Sequence, residues 1–484
     1  MNKLLLTTCL IAVLFTVKGQ RQLSLESVVD LAIQQSTAAK EADTRKENRY
    51  WQYRTFKADF YPTLQLEGTL PNFNRAVRRI LQDDGSYNYR FQNQNLFETE
   101  LFLNQTIPFT GGRVFISSSL SRFDDFVGKF NTYGGDPVTV GIVQPLFGFN
   151  PYKWQRQIEP LRYEESRREY VEEYELISGI SAAYFFEFLT AQITLSIALK
   201  NVDSNDTLYQ IARGRYDLGK IPESDLLNLE LQLMRSQQDV AQAELNLETA
   251  RLRLKSYLGL NQEESIELIT PSEIPEFEVS EELAVEMARK NRSDAIAFKR
   301  RMMEADRDVA QAVGGSGLNG RVFSRFGLTN QGDNIGNVYV NPNSQLVADV
   351  GLSIPILDWG RQKAVKKTAL ANQQLARYTL EQEEINFEQE VITHVKRFKM
   401  LRNQVTISKK ADLVSQKRYD VTKSRYLIGK MEITDLSLAL TEKDRAKQTY
   451  LTSLGDFWQA YYVLRQLTLY DFATRRLLYD PTQE

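Results

Sequence analysis

The sequence predicts an α+β membrane protein built from two internal structural repeats, each a short helical segment, a set of strands and a long helical hairpin. Three observations predict it. An export signal opens the chain, and no later run is long and apolar enough for a spanning helix. A short phrase and a strand pattern each occur twice at one offset. Long stretches without proline carry apolar residues every seven positions.

The first element is the signal. Met1, Asn2 and Lys3 make a short positive start, and "LLLTTCLIAVLFTV" has about the length of a signal-peptide core. Val17 and Gly19 suit the small positions before cleavage, so residues 1–19 read as a signal peptide and the mature chain begins near Gln20. An uncleaved anchor is the alternative, but the run is short for a bilayer. Cys9 is the single cysteine and lies inside that segment, which leaves the mature chain without disulfide or thiol chemistry. "LTTC" resembles a lipoprotein acylation site but comes too early in the apolar run. An exported chain with no further membrane-length helix enters a membrane, if it does, as strands. The 60 basic and 62 acidic residues balance to a net charge of −2, which argues against the basic face of a nucleic-acid binder.

The repeat sets the organisation. "RYDLGKIPESDL" at Arg215–Leu226 returns as "RYLIGKMEITDL" at Arg425–Leu436, 210 positions later. At the same offset "VTVGIVQPLF" aligns with "ADVGLSIPIL", matching Gly141 to Gly351 and Pro145 to Pro355. "LESVVDLAIQQS" from Leu25 and "SEELAVEMARKN" from Ser280 open the two halves with similar amphipathic patterns. The first repeat is expected over residues 20–270, with strands at 62–147 and a hairpin tip near 219. The second is expected over 271–484, with strands at 319–357 and a tip near 429.

Long helices follow the strands in each half. No proline falls between Pro160 and Pro222 or between Pro355 and Pro481. A helix of about 60 residues is on the order of 90 Å long and must pack lengthwise to survive in water. Leu226, Leu233, Val240, Leu247 and Leu254 recur every seven residues, with Leu229, Ser236, Ala243 and Ala250 three positions behind. Leu436, Tyr450, Phe457 and Leu464 repeat that register, interrupted by Lys443, with Ala439, Ala446, Ser453 and Ala460 in the companion row. This is a coiled-coil seam of one large and one small row.

In "LVADVGLSIP", Leu346, Ala348, Val350, Leu352 and Ile354 alternate with Val347, Asp349, Gly351 and Ser353. Such a strand suits a lipid-facing barrel wall or a soluble half-buried sheet, and the export signal favours the wall. "LFETELFLNQTIPFTGGRVFISSSLSRF" (Leu96 to Phe123) reads as two strands around a Gly-Gly turn. It is an additional barrel hairpin, an external flap or a lumen plug, and the sequence leaves the three open.

The repeated phrase reads as a helical turn. Gly219 and Gly429 suit a left-handed helix C-terminus, Pro222 an early helical position, and Asp225 and Asp435 the first turn of the next helix. Capping leaves the repeated Arg-Tyr pairs and Lys220 and Lys430 without a local role.

With these motifs in this order, the chain resembles the TolC-type outer-membrane efflux proteins. "QPLFGFNPYKWQRQI" and "IPILDWGRQKA" look like that family's strand-to-helix crossings. The resemblance covers essentially the whole mature chain. It implies a homotrimer forming one outer-membrane β-barrel in lipid, continued into the periplasm by an α-helical coiled-coil barrel. A belt of short helices, here Ser280 to Ala312 with the terminal segments, would wrap it. The duct would passively conduct substrate from a periplasmic adaptor and an inner-membrane RND or ABC transporter to the exterior, in efflux or type I secretion, with no cofactor. Carried over by motif, Arg215, Gly219, Lys220, Arg425, Gly429 and Lys430 mark the adaptor-contacting tips. Tyr426 and Asp435 match constriction positions, and Asp225 the acidic position of the first tip. Two places depart from the type member: Leu438 stands where it has a second aspartate, and Met431 where it has an arginine. The extra hairpin departs as well, and as barrel strands it would take the count above the family's four per subunit.

An enzyme is the weaker expectation. His394, the only histidine, sits beside Lys396 and Arg397 on a charged helix and reads as a surface residue; no Cys/His cluster offers a metal site. "GGSGLNG" (Gly314 to Gly320) precedes a strand and reads as a connection. A soluble periplasmic coiled-coil adaptor would share the hairpins but lack strands with a lipid-compatible face.

Overall fold

A computed structural model describes residues 21–261, 265–271 and 273–480, so the export segment and Cys9 lie outside the described residues. The chain opens with β1 (Arg21–Leu23), α1 (Leu25–Gln35) and α2 (Thr37–Ala58). Four strands follow: β2 (Thr63–Leu81), β3 (Tyr87–Ile107), β4 (Gly112–Asp125) and β5 (Phe130–Leu146). The first long hairpin is α3 (Pro151–Asp217) and α4 (Glu223–Leu258). After β6 (Ile266–Leu268) come α5 (Glu281–Asn291), α6 (Ser293–Gly314), β7 (Asn319–Gly332), the short α7 (Ile335–Val338) and β8 (Asn343–Ser353). The second long hairpin is α8 (Arg361–Leu427) and α9 (Ile433–Thr468), and β9 (Tyr470–Asp471) and β10 (Arg476–Leu477) close the chain.

The duplication is metric. α3 and α8 have 67 residues each, α4 and α9 have 36, α1 and α5 have 11, and α2 and α6 have 22. α1 and α5 begin 256 positions apart, whereas α3 and α8 begin 210 apart, so the first copy holds 46 residues that the second lacks. Those residues fall between α2 and β4, where the first copy has β2 and β3 and the second goes from α6 almost directly into β7. Both short opening helices are capped alike: the Ser24 hydroxyl accepts from the Ser27 N–H, and Ser280 from the Leu283 N–H.

The chain divides into two compact units. One comprises Glu47–Arg167 and Ser293–Ile385 and holds a six-stranded antiparallel sheet in the order β2-β3-β4-β5-β7-β8. The segment Leu96 to Phe123 forms parts of β3 and β4 within this sheet, not a flap or a plug detached from it. Thr63 opposes Asn104, Arg113 opposes Val143, Leu146 opposes Gly320 and Asn319 opposes Ser353. The helix-linked strand ends and the β3–β4 turn therefore share one rim. One row crosses all six strands as Leu64, Leu103, Ile116, Val140, Phe326 and Leu346, each directly paired with the next. The neighbouring row, on the other face, is Gln65, Phe102, Ser117, Thr139, Gly327 and Gln345. Period-two alternation thus gives one face an apolar row and the other a mostly polar one, with Phe102, Phe115 and Phe323 stacked on that second face. The helical part of this unit is tied by Arg300 to Glu165 and Glu304, by Arg162 to Glu304 at 2.7 Å, and by Tyr53 stacked on Tyr163 at 4.4 Å.

The other unit comprises the chain to Lys46, Arg168–Arg292 and Asn386 onward. Its core joins Phe185, Phe188 and Leu189 of α3, Leu254 and Leu258 of α4, Phe398 of α8, and Leu451, Phe457 and Leu464 of α9. β1 and β6 pair in parallel. In α4 the small row, Leu229, Ser236, Ala243 and Ala250, is buried while Leu226, Leu233, Val240 and Leu247 are half-buried. Small side chains let the helix axes approach, and the large ones flank the seam. In α9 the large row is buried too, apart from half-buried Lys443, which pairs with Asp444 at 3.0 Å and lies over the Tyr419 ring. Arg465 reaches Glu175 at 2.8 Å, and Tyr461 donates to Asp471 at 2.9 Å. Burial pushes the Glu175 carboxyl up despite Arg465.

One expectation needs correction, and it falls on α3. α3 begins at Pro151 and runs through Pro160, which removes one internal hydrogen bond, with buried Ile158 before it and Tyr163, stacked on Tyr53, after it. α3 also contains an 18-residue stretch of mean hydropathy 1.4, long and apolar enough to cross a membrane. Ile177, Ala182, Phe185, Phe188 and Leu189 of α3 are buried, while 39% of the apolar stretch as a whole is enclosed by the chain.

Candidate functional site: the two hairpin tips

Each long hairpin reverses in five residues, and both reversals are built alike. Gly219 has φ +67° and Gly429 φ +75°, the left-handed region that costs glycine least. The Gly219 N–H donates to the Tyr216 carbonyl at 2.7 Å and the Lys220 N–H to the Arg215 carbonyl at 2.9 Å. At the second tip Gly429 donates to Tyr426 at 2.9 Å and Lys430 to Arg425 at 3.0 Å. These paired bonds close the last carbonyls of α3 and α8 in a Schellman arrangement.

The following helices start without side-chain caps. Pro222 (φ −72°, ψ 157°) and Glu432 (φ −85°, ψ 158°) occupy the N-cap positions of α4 and α9. Pro222 thus stands one place before the early helical position expected of it. Asp225 and Asp435 fall in the first turn, where the helix dipole favours a carboxylate. Asp435 is exposed and Asp225 half-buried.

The structure also brings the two tips together. Tyr426 is buried in a cluster of Leu208, Ala212 and Leu229 from the first hairpin with Tyr419, Ile433, Leu436 and Leu440 from the second; Met431 packs on its edge. The Arg215 guanidinium lies 5.5 Å from the Tyr426 ring centre and donates to the Leu427 carbonyl at 2.8 Å. Burial pushes the Tyr426 hydroxyl above its ordinary value, with Arg215 opposing and Asp225 adding. Tyr426 therefore serves as an anchor between hairpins in this chain, while Asp435 presents its carboxylate to solvent. Arg425, Lys220 and Lys430 are exposed, and an added Cβ at Gly219 or Gly429 would meet nothing within 4 Å.

Leu218 and Ile428, immediately before the two glycines, are strongly exposed aliphatic side chains that the reading of the phrase passed over. The signal was present: both copies place an aliphatic residue there, 210 positions apart. His394 is half-buried on α8, not a surface residue; burial lowers its pKa, Glu390 opposes, and Arg397 and Arg292 lower it further. Among the described residues no group of three or more His, Cys, Asp or Glu could hold a metal ion.

The family model described as outer membrane efflux protein matches residues 116–260 and 286–468. The fold is similar to the CmeC outer membrane channel of Campylobacter jejuni, with TM-score 0.66, 16% identity, and coverage of 94% of this chain and 87% of that one. It is similar to the VceC outer membrane protein of Vibrio cholerae, with TM-score 0.62, 12% identity, and coverage of 92% and 95%. The open-state MtrE channel of Neisseria gonorrhoeae gives TM-score 0.60, 16% identity, and coverage of 92% and 88%. No curated protein matches the sequence.

Proposed function

The chain belongs to the outer membrane efflux protein family, whose members are outer-membrane channels of tripartite efflux systems and not enzymes, and we propose that three copies form one closed duct. A soluble periplasmic adaptor is not the reading that survives. In the proposed trimer the sheets close into a β-barrel in the outer membrane, and the long hairpins form a periplasmic tunnel whose entrance is the ring of tips.

The observation that carries the barrel is the outward face of the sheet. Its aliphatic row runs unbroken across six strands, and Leu64, Ile116, Val140, Phe326 and Leu346 are exposed in the single chain. Exposed aromatics stand beyond it at both rims: Tyr61, Phe109, Phe147 and Trp359 on the helix side, and Tyr87, Tyr89, Phe126, Phe130 and Tyr339 on the other. An apolar band between two aromatic girdles suits a bilayer.

Helical pairing between chains has its own support. Met400, Ile407, Val414 and Val421 recur every seven residues along α8 and are exposed throughout, and Ile428 continues the spacing into the turn beyond it. A heptad row of this length without a partner is a seam for another helix. The tips suit a periplasmic adaptor: Leu218 and Ile428 are apolar knobs, ringed by Lys220, Arg425 and Lys430. Three Asp435 carboxylates around a narrow entrance would favour cations over anions. The inner-membrane partner, an RND or ABC transporter, supplies the energy and selects the cargo. Native mass spectrometry of protein extracted from purified outer membranes tests the reading. A trimeric mass is expected; a monomer recovered without detergent from the soluble periplasm overturns it.

A further inference from the structure

The sheet contains more wall than the duplication requires. At the common offset of 210, β5 corresponds to β8, and β4 to β7; β2 and β3 lie in the 46 residues that the second copy lacks. Three copies of the four shared strands would make a twelve-stranded barrel with β4 and β8 as the edges of each chain. β4 is not an edge here. It pairs with β3 along its whole length, from Ile107 opposite Gly112 to Gln94 opposite Asp125.

We propose that the β2–β3 hairpin is part of the membrane wall, so that three chains close an eighteen-stranded barrel in which β2 of each pairs with β8 of the next copy. This rests on the trimeric reading above and specifies its joint.

Three features of the hairpin support a wall. Its faces alternate in phase with the shared strands: Leu64, Leu66, Leu101 and Leu103 continue the aliphatic side, while Gln65, Glu67, Glu98 and Glu100 continue the polar side. A lumen plug would have no reason to keep an exposed aliphatic side in line with its neighbours, and a soluble flap would have none to keep one at all. Next, β2 and β8 are the two edges of a sheet of six alternating strands, so they run in opposite directions and meet between copies as an antiparallel pair. Both are long, 19 and 11 residues, and an unpaired edge of that length cannot stay in hydrocarbon, where every backbone group needs a partner. Finally, the hairpin extends past the top of β4, since Tyr87–Gln92 pair with β2 alone. There the outward side carries Tyr87, Tyr89 and Phe91, with Arg79 4.1 Å from the Tyr87 ring centre and Arg75 5.4 Å from that of Phe91. Aromatic and cationic groups at that level suit the headgroup region.

The consequence is a wider exit. At about 4.8 Å between strands and a tilt of about 40°, eighteen strands enclose a ring roughly 36 Å across between backbones, against roughly 24 Å for twelve.

The chain has no cysteine after Cys9, so paired cysteines can map the joint in intact outer membranes. One set combines Gln65→Cys, Glu67→Cys or Thr69→Cys with Gln345→Cys, Val347→Cys or Asp349→Cys, nine pairs that sample the register on the polar face. The control set replaces the β2 positions with Phe115→Cys, Ser117→Cys or Ser119→Cys in β4. Oxidation is expected to give covalent dimers and trimers for at least one β2–β8 pair and for no β4–β8 pair. Cross-links confined to β4–β8 overturn the proposal and leave a twelve-stranded trimer. Silence of the β2 set in a protein that is trimeric by native mass also overturns it. A monomeric mass instead removes the trimer on which the proposal stands.

Discussion

At the first tip Tyr216 is 39% exposed, and at the second its counterpart Tyr426 is 6% exposed, although each precedes its turn glycine by three residues in the same phrase. The backbone bonds of the two turns match to within 0.2 Å. Their surroundings do not. Arg215 reaches across to the second tip, whereas the side chain of its copy Arg425 is exposed and makes no ion pair or hydrogen bond among the described residues. Local chemistry therefore builds two equal turns, and packing gives them unequal tasks. The second supplies the buried anchor, and the first supplies the arginine that clasps it.

The strongest way to break this comparison is to destroy what the tips share. Gly219→Pro and Gly429→Pro each remove the turn N–H and force φ to about −65° where a positive value is needed. Both variants are expected to abolish export while native mass still reports a trimer, because the seams of the long helices are untouched. Unchanged susceptibility of cells to exported toxic compounds would remove the tips from the docking surface.

The next largest effect separates the tips. Tyr426→Ala empties a buried cluster and is expected to cost about 3 kcal/mol locally, whereas exposed Tyr216→Ala should cost less than about 0.5 kcal/mol. Protease nicking at the turns measures the difference. Equal sensitivity in the two variants would mean that the anchor is not where the packing places it. Alkaline titration sharpens the point. A buried hydroxyl with a raised pKa stabilises the closed cluster below pH 10, and that contribution is lost as pH climbs through the raised value. Nicking at the second tip should therefore rise above pH 10 and lose that dependence in Tyr426→Phe.

Much of this was legible in the sequence and some was not. The offset of 210, the glycine turns, the aspartates of the first turn and the two-row seam are local or periodic, and periodicity survives translation into structure. The six-stranded sheet was only half visible. Leu96 to Phe123 read as strands, but whether they joined the wall depends on pairing with residues that the sequence does not place beside them. The burial of Tyr426 was invisible for the same reason: its cluster draws Leu208 and Leu229 from the other hairpin, more than 190 positions away. Leu218 and Ile428 recur at the same offset, but an aliphatic residue before a turn glycine has no local chemistry that marks it as exposed.

A smaller effect tests whether the asymmetry ends at the chain boundary. If Tyr216 of one copy meets Arg425 of the next in the proposed trimer, the pair repeats between chains the contact that Arg215 and Tyr426 make within one. Arg425→Ala and Tyr216→Ala should then each weaken the closed entrance by up to about 0.5 kcal/mol, and the double variant should cost less than their sum. Single-channel opening probability reads the coupling, and strict additivity would confine the contact to the chain interior.

The smallest expected effect concerns the exposed carboxylate of the second tip. Asp435 lies in the first turn of α9 with Leu438 one turn on, so each chain offers the entrance one acid from this helix where a second is lost to an exposed leucine. A ring of three carboxylates open to solvent is screened within about 8 Å at physiological salt, which limits its reach. Asp435→Ala should therefore lower the cation-to-anion permeability ratio only about twofold, with the shift growing as salt is diluted. Leu438→Asp should raise the ratio by restoring a second ring. If neither substitution moves the reversal potential in a salt gradient, the charge that selects ions lies elsewhere, and the acidic pair Glu67 and Glu100, opposite each other on β2 and β3, becomes the place to look.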